Sequence, residues 1–191
     1  PFGDMSAGAA RLGPASVVSQ SGGVSLTYVD RLCMAGVGVD KAVSIGNKTD
    51  LNENDYLEYL LQDPGTKIVC LYLESIGDGR RLMNLARSSK KPIIVHKVNR
   101  GEASHRVALS HTAALADDDQ IVSAALRQVG IIRAEDFRES VAIAQGLTLP
   151  PVRGKKLVVI SRSGGHAVIA ADAAERYGFQ LAPLPDRKSV V

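Results

Sequence analysis

Along most of the chain, short apolar runs alternate with longer amphipathic stretches, and glycines or capping residues mark the junctions. Ala15-Ser16-Val17-Val18 reads as a strand that ends at Ser19-Gln20-Ser21-Gly22-Gly23. Val24 to Ala35 then has helical spacing and stops at Gly36. Val39 to Ile45 is a second strand, closed by Gly46-Asn47. Asn52-Glu53-Asn54-Asp55 caps a helix carrying Tyr56, Leu57, Leu60 and Leu61 on its apolar face, and Asp63-Pro64-Gly65 ends it. Lys67 to Glu74 is nearly continuous in apolar residues, the pattern of a strand buried on both faces. Gly79 to Ser89 reads as helix and Pro92-Ile93-Ile94-Val95 as strand. A polar stretch from Asn99 to Asp119 precedes a helix near Ile121 to Val129, a strand at Ile131-Ile132, and a helix from about Glu135 to Leu147.

Five strand–helix units in succession imply an α/β fold with a doubly wound parallel sheet, because parallel neighbours need crossover helices. The flavodoxin-like order 2-1-3-4-5 is the simplest arrangement. After Leu149-Pro150-Pro151 the rhythm restarts: a strand at Leu157 to Ile160, a turn, a helix from His166 to Tyr177 and a strand at Phe179 to Ala182. Val17-Val18-Ser19-Gln20-Ser21-Gly22-Gly23 thus repeats as Val159-Ile160-Ser161-Arg162-Ser163-Gly164-Gly165. Residues 1–148 are expected to form one flavodoxin-like domain, and 149–191 a linker and the first βαβ of a second. That remainder is too short for a core of its own, so the chain is expected to be a piece of something longer, as its first residue, Pro1, also suggests.

Composition narrows the class. With 45% hydrophobic residues among 191, burial can offset the entropy of ordering, which excludes disorder. Aromatics are only 4% and glycines number 18, which suits aliphatic parallel strands covered by helices. No apolar run approaches the roughly 18 residues needed to cross a bilayer, and Pro1 to Gly8 lack the features of a signal peptide. Cys33 and Cys70 sit in apolar periodic segments without metal-like spacing, so two buried thiols, no metal site and a cytoplasmic location are expected. The net charge of +3 is spread out, without the clustered basic face and stacking aromatics of a nucleic-acid binder. The densest basic stretch, Lys90-Lys91 through His96-Lys97 to Arg100 and Arg106, reads first as a strand with solvated flanks and second as an attractor of anionic substrate.

A strand running into Ser-x-Ser-Gly-Gly and then a helix exposes backbone N–H groups beside small hydroxyls, an arrangement that holds phosphate or another oxyanion. The alternative is an N-cap serine with glycines that allow close packing. Two copies favour the functional reading, with Ser21, Gly22, Gly23, Ser163, Gly164 and Gly165 as phosphate ligands. Neither copy is G-x-G-x-x-G or a Walker loop, while both serines resemble that of G-x-S-x-G, so a serine hydrolase is a further reading. In a doubly wound sheet the carboxyl ends of strands one, three and four bring together the Ser21 turn, Glu74 and the loop Ser110-His111-Thr112. A histidine with a carboxylate partner near a helix N-terminus suits phosphoryl transfer through phosphohistidine. A carboxylate at the end of a buried strand also needs a partner, which weighs for Glu74.

Val18-Ser19-Gln20-Ser21-Gly22-Gly23, Ser44-Ile45-Gly46-Asn47-Lys48-Thr49-Asp50, Leu71-Tyr72-Leu73-Glu74-Ser75-Ile76 and Ser110-His111-Thr112 occur in this order. Together they resemble the nucleoside-diphosphate-forming acyl-CoA synthetases, relatives of succinyl-CoA synthetase and ADP-forming acetyl-CoA synthetase, over about Gly13 to Pro185. The resemblance implies that His111 is phosphorylated during turnover with Glu74 beside it, and that the Ser21 and Ser163 turns begin the two helices facing the phosphohistidine. It implies the reversible conversion of acyl-CoA, phosphate and ADP to acid, CoA and ATP, with CoA, ADP or ATP and Mg2+ as substrates or cosubstrates of the full enzyme and no cofactor held by this piece alone. The implied partners are acyl-CoA or acyl phosphate, a CoA-binding Rossmann domain and an ATP-grasp domain in the same chain or a partner subunit, and an oligomer. Membrane and nucleic acid are not among them. Lacking both other domains, the piece is expected not to turn over.

Two departures from the family pattern stand out: Ala113 occurs where most relatives have glycine, and Asp117-Asp118-Asp119 occur where small residues are common. A stiffer, more acidic loop is expected to slow transfer. The alternative is a degenerate acyl-CoA-sensing module, for example one fused to a protein acetyltransferase; relatives of that kind commonly lack the histidine. His105 is the main competitor of His111, His96 reads as a satisfied core or strand-end residue, and His166 falls at the first turn of a helix. Arg162 is either a phosphate ligand or solvent-facing, and Asn47 and Lys48 either contact CoA or a neighbouring domain or form a plain loop.

Overall fold

The structure, a computed structural model, describes residues 11–111 and 118–182, with the backbone alone for 108–111. The chain divides into two compact units, Pro1–Leu149 and Pro150–Val191.

In the first unit the order is β1 (Ala15–Ser19), α1 (Gly22–Met34), β2 (Val39–Ser44), α2 (Glu53–Gln62), β3 (Ile68–Leu73), α3 (Gly79–Ser88), β4 (Ile93–Lys97), α4 (Glu102–His111), α5 (Asp119–Gln128), β5 (Ile132–Arg133) and α6 (Phe137–Thr148). The strands form one parallel sheet in the order β2-β1-β3-β4-β5, as the sequence predicts. The register sets Val18 beside Val43 and Leu71, and Leu71 beside Val95. Successive side chains point to opposite faces. Val17, Cys70 and Ile94 therefore pack with Tyr28, Leu32 and Ala144 of α1 and α6. Val18, Val69, Leu71 and Val95 pack with Leu57, Leu60, Leu82 and Leu126 of α2, α3 and α5. This two-sided burial is why β3 reads as an unbroken apolar run.

The stretch from Asn99 onward, expected to be irregular, contains helix α4. Its apolar positions are interrupted by Ser104, His105 and Arg106, which blurs the helical period. Ser104 nonetheless closes the first turn: its Oγ accepts from Gly101 N–H at 3.1 Å and donates to the Gly101 carbonyl at 2.8 Å. The basic residues expected as solvated flanks are partly structural. Lys91 Nζ donates to the carbonyls of Leu60 and Asp63 at the end of α2, at 2.9 and 2.6 Å, and Lys97 is buried.

The second unit is β6 (Lys156–Leu157), α7 (Gly164–Arg176) and β7 (Gln180–Leu181), with the two strands parallel. The strands are shorter than the expected Leu157 to Ile160 and Phe179 to Ala182. No further strand flanks this pair among the described residues, so the rest of the apolar run finds no ladder, and Ile160 is 94% exposed. No helix among the described residues is long and apolar enough to cross a membrane.

Two buried thiols were expected, and only Cys70 is fully buried; Cys33 is half-buried beside Arg11, whose N–H donates to its Sγ at 3.3 Å. Burial pushes the Cys70 thiol up to about 12. At pH 8, iodoacetamide is therefore expected to alkylate Cys33 and to spare Cys70 until denaturant is added, as peptide mass spectrometry would show. Leu71→Ala, at the fully buried centre of β3, is expected to destabilise the fold by about 3 kcal/mol in chemical denaturation.

Candidate functional site

Backbone hydrogen bonding in the sheet ends with Gln20, whose N–H donates to the Tyr72 carbonyl at 3.1 Å, and the next residues turn into α1. Ser21 is the N-cap, extended at φ −120° and ψ 127°, with its Oγ accepting from Val24 N–H at 3.4 Å. Ser19 locks the turn: its Oγ donates to the Ser21 carbonyl at 2.7 Å and accepts from Ser21 N–H at 3.1 Å. The N–H groups of Gly22 and Gly23 have no acceptor among the described residues, and they sit at the positive end of the helix dipole. The Ser163 turn repeats this geometry. Ser163 has φ −122° and ψ 124°, and Ser161 Oγ makes the same pair of bonds at 2.9 and 3.1 Å. The repeat extends past the helices: Gly36 and Gly178 both adopt the left-handed conformation, at φ 77° and 76°.

Gln20, between the two serines, carries a role that sequence reasoning did not assign. Its side-chain oxygen accepts from the N–H groups of Glu74 and Ser75 at 2.7 and 3.0 Å, joining the Ser21 turn to the loop after β3. That loop is held at further points. Lys97 Nζ donates to the Glu74 carbonyl at 3.0 Å and Lys48 Nζ to the Ser75 carbonyl at 2.6 Å. Glu53 accepts from Gly77 N–H at 2.8 Å, and Asn54 donates to the Asp78 carbonyl at 3.0 Å. Lys48 also forms an ion pair of 2.8 Å with the fully buried Glu53. Its ammonium is thus engaged inside the loop, and its backbone is in the left-handed region at φ 59°, while neighbouring Asn47 is exposed. The partner expected for the Glu74 carboxylate is absent among the described residues. Its main chain is fixed, its side chain is half-buried, and no hydrogen bond or ion pair from a described residue reaches the carboxylate.

His96 is buried in an edge-to-face cluster with Tyr72 and Phe137, at centroid distances of 5.3 and 5.0 Å. Burial and then the Arg100 charge push its pKa down, and its Nδ1 has no partner among the described residues, so it is a core residue that these residues do not fully satisfy. Asn99 takes the left-handed conformation at φ 61° with both amide atoms buried and unpartnered. His111 ends α4, which follows the carboxyl end of β4; its side chain, and Ala113 and Asp117 beyond it, lie outside the described residues. His105 lies earlier on α4, half-buried, and its buried Nδ1 has no partner among the described residues. His166 is exposed in the first turn of α7, its N–H donating to Ser163 Oγ at 3.5 Å, and Arg162 is exposed. Among the described residues no group of three His, Cys, Asp or Glu could hold a metal ion.

A model of the succinyl-CoA ligase like flavodoxin domain matches residues 12–147. The chain belongs to this family. The α subunit of an ADP-forming acetate–CoA ligase from Pyrococcus furiosus is 40% identical over 172 residues, which cover 88% of this chain and 37% of that protein. An ADP-forming acetate–CoA ligase from Methanocaldococcus jannaschii is 42% identical over 172 residues, 88% of this chain and 24% of the relative. Among solved structures, a dinucleotide-forming acetyl-coenzyme A synthetase 1 from Ca. Korarchaeum cryptofilum, in complex with phosphate and ADP, superposes with a TM-score of 0.76 at 32% identity, covering 91% of this chain and 38% of that one. The chain thus spans about a quarter to two-fifths of the length of these relatives.

In this succinyl-CoA-ligase-like domain the Lys48–Glu53 pair fixes two loops at the carboxyl end of the sheet. Lys48→Met would leave an uncompensated buried carboxylate and is expected to cost about 3–5 kcal/mol. Adding Glu53→Gln should recover part of that loss in equilibrium denaturation.

Proposed function

We propose that the chain is the phosphoryl-transfer region of an ADP-forming acyl-CoA synthetase, with His111 as phosphoryl acceptor. The observation that carries this reading is the pair of unsatisfied N–H groups at Gly22 and Gly23, tied through Gln20 to a loop that holds the bare carboxylate of Glu74. In the first step phosphate attacks the acyl carbon of acyl-CoA, the C–S bond breaks, and acyl phosphate and CoA thiol leave. Neutral His111 then attacks phosphorus, the bond from phosphorus to the acyl oxygen breaks, and the carboxylate departs with the electron pair of that bond. Glu74 orients the imidazole and balances its developing positive charge, while the N–H groups of the Ser21 turn receive phosphoryl oxygens that carry negative charge in every step. Transfer to ADP completes the cycle and regenerates neutral His111.

Ser163, Gly164 and Gly165 offer the same donor set, and residues 149–191 are read as the start of a second flavodoxin-like domain. The relatives' names support CoA and ADP as substrates; ATP as the product nucleotide, with Mg2+ accompanying it, belongs to the same proposal. The remaining parts of the cycle fall to a CoA-binding domain and an ATP-grasp domain of the same chain or a partner subunit, in a cytoplasmic oligomer. Lys48, turned inward, serves the loop; exposed Asn47 is the better of the two for a contact with CoA or a neighbouring domain.

The full-length protein, given acetyl-CoA, phosphate and ADP, is expected to make ATP and to carry an acid-labile phosphoryl group. His111→Ala should abolish both. Glu74→Gln should lower kcat at least about 100-fold. Full turnover by His111→Ala would refute the assignment; wild-type protein without any phosphoenzyme would favour the acyl-CoA-sensing alternative.

A further inference from the structure

The amide of Gln20 has a second half that the clamp on Glu74 does not use. The residue is 7% exposed, and its oxygen is fully occupied by the two backbone donors. Two N–H groups converging on one atom require that atom to be the oxygen, so the orientation of the amide is fixed. The nitrogen has no hydrogen-bond partner among the described residues and, unlike the amide of Asn99, is not sealed from solvent. A buried side chain therefore presents its free N–H donors at the end of β1, one residue before the N-cap of α1 and its unsatisfied glycine N–H groups.

We infer that the Gln20 amide nitrogen is a ligand of the phosphoryl group, donating to one of its oxygens beside Gly22 and Gly23. This rests on the phosphoryl-transfer reading above and adds a specific contact to it. The sequence repeat gives independent support. The two turns agree in backbone angles and serine bonds, yet the residue between the serines changes from Gln20 to Arg162. Arginine cannot accept a backbone N–H, so the clamp is not what the two positions share. Both residues carry side-chain N–H donors suited to an anion.

Gln20→Glu separates the two roles. A carboxylate still accepts from Glu74 and Ser75 N–H, so the melting temperature should stay near that of wild type, while an oxygen replaces the donor and repels phosphate. In the full-length protein the KM for inorganic phosphate should rise about 10- to 100-fold, with the KM values for ADP and acetyl-CoA little changed. Gln20→Met, which loses the clamp as well, should also lower the melting temperature. A merely structural role predicts the reverse: a wild-type phosphate KM in Gln20→Glu, which would overturn the assignment. If Gln20→Glu does not fold, wild-type protein with 15N-labelled glutamine side chains, titrated with inorganic phosphate, provides the reading. A saturable shift of the Gln20 amide signal supports the contact, and an unmoved signal overturns it. Wild-type protein that forms no phosphohistidine would overturn the phosphoryl reading and this contact together, whereas phosphohistidine with an unaltered phosphate KM in Gln20→Glu overturns the contact alone.

Discussion

A parallel sheet covered on both faces leaves its chain no polar surface except at the strand ends, and this constraint organises the first unit. All five residues of β1 are buried, two of them serines, and each serine is satisfied internally: Ser16 Oγ lies 2.8 Å from Thr66 Oγ1, and Ser19 Oγ bonds the Ser21 backbone. Unpaired backbone donors first appear beyond the ladder, where α1 begins and its dipole adds partial positive charge. The same constraint acts on β3, whose last buried residue, Leu73, is followed directly by Glu74. Donor and carboxylate thus meet at the carboxyl edge because nowhere else in the layers can hold them.

Holding them there uses several buried polar groups. Lys48 and Glu53 are removed from water, Lys97 is buried, and Lys48 accepts a left-handed backbone. In return, the N–H and carbonyl of both Glu74 and Ser75 are bonded, so the carboxylate of Glu74 is positioned without being neutralised. A carboxylate consumed by an ion pair could not serve the orienting role proposed for Glu74 as well. The loop is fixed through its backbone, which leaves the Glu74 carboxylate without a partner among the described residues.

The sheet order is legible in the sequence because buried parallel strands write themselves as apolar runs between glycines and capping residues. Asn52 and Asp55 form the capping box that their spacing suggests. Helix α4 was hidden by Ser104, His105 and Arg106, which break the apolar period on a solvent-facing helix. The short strands of the second unit were overread because apolar residues imply a ladder only where a neighbouring strand exists. The Ser21 turn, the placement of Glu74 at a strand end and the position of His111 after β4 were all visible as local patterns. Gln20 was not, since its contact with Glu74 depends on the pairing of Ser19 with Tyr72 across the sheet, a register that no local pattern records.

The two Ser-x-Ser-Gly-Gly turns separate what is local from what is tertiary. One sits at the end of a fully buried strand and the other in exposed chain beyond β6, yet their dihedral angles differ by only a few degrees. The turn is therefore specified by its own residues: the first serine hydroxyl bonds the backbone of the second, and the second caps the helix. With the backbone set in this way, the residue between the serines is free of any part in shaping the turn. It can be chosen for what it meets, and in the first unit it meets the loop of Glu74.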